Sequence, residues 1–137
     1  MPCACAILRR AARAVTQLYD RELRKSGVSP PQLTLLQALS KTGEVTQGAL
    51  GELLALDSTT LSRTLKPLEQ MGWISNRPGR DRRERWLALT ADGRNQLERS
   101  QPAWDQVQDR LRERLGAEAW EELLPLLARV AAAARDL

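Results

Sequence analysis

Residues 46–71, TQGALGELLALDSTTLSRTLKPLEQM, constrain the fold more than any other stretch. Thr46 is placed to cap a short helix carrying Leu50, Leu53 and Leu54, and three residues further on Asp57 or Ser58 opens a second helix that runs to Met71 before Gly72. Two short helices joined by so tight a turn form a helix-turn-helix. At about 100° per residue, the second helix carries Leu61, Thr64, Leu65 and Leu68 on one arc and Thr59, Ser62, Arg63 and Lys66 on the opposite one. The first arc is expected to pack and the second to face out. Pro67 removes one backbone donor, but it lies beyond these polar residues.

The next segment, Gly79 to Gly93 (GRDRRERWLALTADG), is cationic and then turns apolar. Trp73–Ser75 and Trp86–Leu89 have strand character, with Leu87 and Leu89 alternating with Trp86 and Ala88. A β-hairpin with an oversized, charged tip is expected. Between Asn76 and Trp86 stand Arg77, Arg80, Arg82, Arg83 and Arg85 against only Asp81 and Glu84, so most of the chain's net charge of +4 sits in this loop. Alone, such a loop reads as a solubilising cluster. Directly after a helix face of Thr, Ser, Arg and Lys, it makes one contiguous basic surface suited to a major groove and the flanking minor groove of duplex DNA, whose negative potential attracts inserted arginine. The residues expected to contact DNA are Ser58, Thr59, Thr60, Ser62, Arg63 and Lys66 on the helix, and Arg77, Arg80, Asp81, Arg82, Arg83 and Arg85 on the hairpin.

Helical segments flank this core. Apolar positions from Ala6 to about Lys25 follow a helical period between arginines, Gly27 stops that helix, and Ser29 with Pro30-Pro31 opens another through Leu39. After the hairpin, Thr90 caps a long helix towards Leu115, and Gly116 separates it from a last helix with Trp120, Leu123, Leu127 and Val130; Pro102 and Pro125 are expected to kink or break these two. The fold expected is mainly α with a small β-hairpin wing. A single domain spans residues 1–137, with a winged helix-turn-helix core at 29–90 and helical dimerisation segments at 4–26 and 91–137. The terminal helices carry more apolar positions than so small a core can cover, which points independently to a homodimer.

Several function classes are excluded by what the chain lacks. Among its 137 residues there is no histidine, the commonest general base and metal ligand, and GRDRRERW lacks the glycine spacing and lysine of a phosphate-binding loop. The chain is therefore expected not to be an enzyme and to hold no cofactor or metal site. No apolar run reaches the roughly 18 residues of a membrane span, and the start MPCACAILRR is not a secretory signal. With Cys3 and Cys5 its only cysteines, the chain is expected in a reducing cytoplasm, away from membranes.

The string from Thr46 to Leu97 resembles the winged helix-turn-helix core of the MarR family of transcriptional regulators. The resemblance is carried by Ser58-Thr59 with Arg63, Leu65, Leu68, Glu69 and Gly72, by the wing signature Asp81-x-Arg83, and by the close Leu89-Thr90-x-x-Gly93. Trp73 stands where the family usually has an aliphatic residue. The order of the flanking helices agrees, so the resemblance covers essentially the whole chain. It implies a homodimeric, sequence-specific regulator, a repressor, with the helix around Ser58–Lys66 of each protomer in successive major grooves of a pseudo-palindrome. It also implies that Arg83 enters the minor groove and that Asp81 orients it. A winged-helix module that binds protein without specific DNA binding is the alternative, and an acidic or apolar face on the second helix would mark it.

Release from DNA needs a signal, and two are open. Cys3 and Cys5 lie near a helix N-terminus, where thiolate is favoured, and the stretch from Cys3 through Tyr19 to Pro31-Gln32 resembles the organic-peroxide-sensing branch of the family. The same thiols could instead link protomers, hold a soft metal across a dimer, or be inert. The other signal is a small aromatic or phenolic ligand in a cleft lined by Tyr19, Trp104 and Trp120, although these aromatics equally suit a core.

Overall fold

A computed structural model of the chain describes residues 1–137. Helix α1 (Ala4–Leu23) passes through a 3-10 turn (Arg24–Ser26) into α2 (Pro30–Thr42); strand β1 (Val45–Thr46) leads into α3 (Gln47–Leu54) and α4 (Ser58–Gln70). Strands β2 (Ile74–Pro78) and β3 (Arg85–Leu89) form the hairpin, followed by α5 (Ala91–Leu115) and α6 (Ala117–Arg135). Each helix of the core starts on the side chain the sequence offers. Ser29 forms a reciprocal capping box with Gln32, Thr46 accepts from the Ala49 amide, Asp57 from that of Thr60, and Thr90 from that of Gly93.

The hydrophobic core joins α1, α2, α3, α4 and the sheet through twelve buried residues, ten of them leucines, with Val28 and Ile74. No aromatic residue belongs to it; Tyr19, Trp73 and Trp104 pack against its margin. On α4 the division expected from the sequence holds, with Leu61, Leu65 and Leu68 buried and Thr59, Ser62, Arg63 and Lys66 exposed. On α3 only Leu50 of the three leucines is buried; Leu53 points to solvent. At the other end of the core, Gln96 of α5 is buried and donates to the Ser26 carbonyl, tying α5 to the turn between α1 and α2.

Two features depart from the sequence reading. Val45 and Thr46 pair with Leu87 and Trp86, so the wing is a three-stranded antiparallel sheet in the order β1-β3-β2 rather than a bare hairpin. β2 extends to Pro78 and β3 begins at Arg85, which places Arg77 and Arg85 in strands and leaves Arg80, Arg82 and Arg83 at a six-residue tip, 79–84. The second departure concerns the prolines: α5 and α6 run unbroken through Pro102 and Pro125. Both helices are long, and a proline forfeits only one ladder bond when the rest of the helix supports it.

Candidate nucleic-acid interface

The N-terminal turn of α4 is built around Asp57. Its carboxylate accepts from the Thr60 amide at 2.7 Å and from the Thr60 hydroxyl at 3.0 Å. These bonds hold the Asp57 carboxyl below its usual range, the Thr60 amide contributing most, with Arg63 adding a smaller electrostatic pull in the same direction. The acid is thereby spent on the helix end, and Ser58, Thr59, Ser62, Arg63 and Lys66 remain displayed along the solvent side. Ser62 is not independent: Gln47, the first residue of α3, donates to its hydroxyl oxygen at 2.9 Å. Gln47 was missed from the sequence because only the angle between the two helices brings it to Ser62; its place directly after the Thr46 cap was the one available signal.

The wing is tied to the same surface. Asn76 of β2 donates to the Glu69 carboxylate of α4 at 2.8 Å, fixing the hairpin against the second helix. At the tip, the Gly79 amide donates to the Glu84 carbonyl at 2.8 Å and the Glu84 amide to the Asp81 carbonyl at 3.0 Å. The Asp81 carboxylate accepts from the Arg83 amide at 3.1 Å. The contact between Asp81 and Arg83 runs through the backbone amide, in an Asx-type turn. Arg80, Arg82 and Arg83 are exposed. A groove of about 1120 Å³ separates α3 and the start of α4 from the wing; Gln47, Ser58, Asp81, Arg83 and Arg85 line it, with Arg135 at its far edge. Arg77 stands elsewhere, paired with Glu44 and over the ring of Trp86.

The two candidate signal sites lie away from this groove. Cys3 is the N-cap residue of α1 and Cys5 is in its first turn; both are free and exposed. Tyr19 and Trp104 line a cleft of about 310 Å³ between α1, α2 and α5, together with Val15, Pro30, Leu33 and Gln37. The Tyr19 hydroxyl donates to Gln108, and burial raises its pKa above the ordinary phenol value. Trp120, on α6, does not line this cleft. No helix is long and apolar enough to cross a membrane.

Comparison with known proteins fits this geometry. The family model described as MarR family matches residues 26–84. Over 98% of both chains, the structure aligns with the crystal structure of the Mycobacterium tuberculosis transcriptional regulator MosR in complex with DNA, at a TM-score of 0.90 and 33% identity. The chain belongs to the MarR family. Among curated relatives, the MarR-family chain is 37% identical over 90 residues to the organic hydroperoxide resistance transcriptional regulator of Bacillus subtilis, covering 65% of this chain and 61% of that one. It is also 30% identical over 91 residues to the uncharacterized HTH-type transcriptional regulator YwoH of the same organism, covering 66% of each. These two matches thus span a little under two thirds of the curated relatives' length. The MarR assignment gives the chain a winged-helix fold that it shares with transcriptional regulators.

Proposed function

We propose that this chain is a homodimeric, cytoplasmic repressor that binds a pseudo-palindromic DNA operator and leaves it when a chemical signal arrives. One observation carries the reading: the start of α4 and the wing border a single groove, lined by Ser58 from the helix and by Arg83 and Arg85 from the wing, while Thr59, Ser62, Arg63 and Lys66 are exposed along the same helix. Thr59, Ser62, Arg63 and Lys66 supply short donors and cations for base edges and phosphates. Arg80, Arg82 and Arg83 reach the flanking minor groove. The MosR structure, at 33% identity, is of a complex with DNA, which supports the same use of this surface here. Neither the face of α4 nor the wing is apolar or acidic, as a protein-docking module would need.

Dimerisation rests on the terminal helices. α6 buries none of its residues, and Leu124, Leu126, Leu127 and Val130 are exposed on it, as are Ile7, Leu8 and Val15 on α1. Arg9, Arg10 and Arg13 make the start of α1 basic, and Glu118, Glu121 and Glu122 make the start of α6 acidic. A second copy covers both.

Thiol oxidation is the signal favoured by exposure and position. Cys3 is the extended N-cap residue and Cys5 lies in the first turn of α1, so a disulfide between them changes the backbone at the start of that helix. Oxidation of the two thiols by a hydroperoxide, with release of an alcohol and water, would in this way disturb the dimer helix. A resistance regulator for organic hydroperoxides stands among the relatives, which supports the same chemistry. The cleft at Tyr19 and Trp104 favours a second signal, a small aromatic ligand. The test is selection of genomic fragments by the reduced protein, repeated after mild peroxide and with Cys3→Ser, Cys5→Ser. Retention when reduced, loss on oxidation and retention by the double variant support the redox reading; retention that ignores peroxide moves the signal to the cleft. Absence of any enriched fragment contradicts the operator.

A further inference from the structure

The outer face of the wing carries a chain of contacts that meets the groove only at Glu84. Trp86 of the central strand pairs with Thr46 of β1 on one side and Arg77 of β2 on the other. Residues opposite one another in antiparallel strands share a face, and neighbours along a strand take opposite faces. Leu87 is fully buried, so Trp86 and Arg77 project outward. Glu44, two residues before Thr46, comes up on the same side. The Arg77 guanidinium carbon lies 5.5 Å from the centroid of the Trp86 ring, and the guanidinium donates to both carboxylate oxygens of Glu44, its Nε to Oε2 at 3.2 Å. The Trp86 indole N–H in turn donates to the Glu84 carboxylate, which packs over Gly79. Glu84, Trp86, Arg77 and Glu44 thus connect the wing tip to the turn ahead of β1. Arg85, opposite Pro78, projects from the other face and lines the groove.

We infer that Glu44 and Arg77 are positioning residues that fix the pitch of the wing for DNA, and that Arg77 does not itself contact phosphate. This rests on the DNA-binding reading above. Both side chains are about half exposed, so the ion pair adds little to stability. Its geometry is nevertheless specific: a planar fork on a carboxylate, stacked on an indole face, has few alternative arrangements. The guanidinium is also already neutralised, whereas Arg80, Arg82 and Arg83 form no ion pair. Hydrogen bonding from Arg77 holds the Glu44 carboxyl below its usual range, so the pair is charged at neutral pH.

Charge and geometry make opposite demands on one substitution. Glu44→Gln removes a negative charge beside the wing, which by charge alone tightens DNA binding; loss of the brace weakens it. The probe is a duplex recovered by the natural protein from a random-sequence pool, with a mixed-sequence duplex as control, titrated over a salt series. Glu44→Gln and Arg77→Gln are each expected to weaken binding of the recovered duplex roughly 3- to 30-fold, with the double variant no worse than the worse single, as coupled neighbours behave. The salt slope of Arg77→Gln is expected to match that of the natural protein, and mixed-sequence affinity to stay within about twofold. Arg77→Lys keeps the charge but not the fork, and is expected to weaken binding as well; it decides the matter if a glutamine variant misfolds. Unchanged or tighter binding by Glu44→Gln, or a slope reduced by about one for each Arg77 removed, overturns the brace. Failure of the natural protein to recover any duplex overturns the DNA reading, and the brace with it.

Discussion

A Cβ on Gly93 would stand 2.0 Å from the carbonyl oxygen of Trp73, too close for any rotamer change to relieve. The same carbonyl accepts from the Thr90 amide at 3.1 Å, and the Thr90 hydroxyl both caps α5 and donates to the Gly72 carbonyl. The motif Leu89-Thr90-x-x-Gly93 is therefore a backbone clamp between the end of α4 and the start of α5. Gly93→Ala is expected to lower stability by about 1–3 kcal/mol, the usual range for overpacking, measured by urea unfolding. Ala55 presents the opposite case. It ends α3 in the left-handed region, at φ 53°, where a Cβ costs roughly 1 kcal/mol. Ala55→Gly, a change that destabilises helix interiors, is expected here to leave stability unchanged or raise it by up to about 1 kcal/mol, because relief of the strain offsets the freedom the unfolded chain gains. At the wing tip, Arg83→Ala is expected to weaken operator binding with the fold and dimer intact; full-strength binding by a folded variant contradicts the role given to Arg83.

At the scale of elements, the end of α4 nearest the groove depends on an ionised cap. A carboxyl held below its usual range, as at Asp57, stabilises the fold fully above that range, and the contribution is lost as pH falls through the native value. The thermal midpoint of the natural protein relative to Asp57→Asn is therefore expected to shrink as pH falls below the ordinary carboxylate range, since asparagine caps without titrating. The capping residues and faces of α2 and α4 were legible in the sequence because both depend on residues within one or two turns of each other. β1 was not legible: two residues have no period, and they become a strand only because Leu87 and Trp86 offer an open edge. Arg77 was assigned to the loop for a related reason. Its partner Glu44 lies 33 positions away, and only the register of β2 on β3 brings the two together. The cleft was half legible, since Tyr19 and Trp104 meet there but Trp120 lies beyond it on α6.

For the whole molecule, the core closes over the winged helix, Leu23 of α1 and the first part of α5, while α6 and the first half of α1 bury nothing. Stability and assembly are thereby separable. Leu124→Glu with Leu127→Glu is expected to shift the protein to monomer in sedimentation while the core leucines stay packed, and to weaken binding to a two-half-site duplex far more than to a single half-site. The central claim, that α4 and the wing read DNA in symmetric pairs, is tested most directly by hydroxyl-radical footprinting on a duplex recovered by the protein. The expected result is two protected blocks about one helical turn apart, with the flanking protection lost in Arg83→Ala. A single uniform block, or a footprint indifferent to Arg63→Ala and Arg83→Ala, contradicts it.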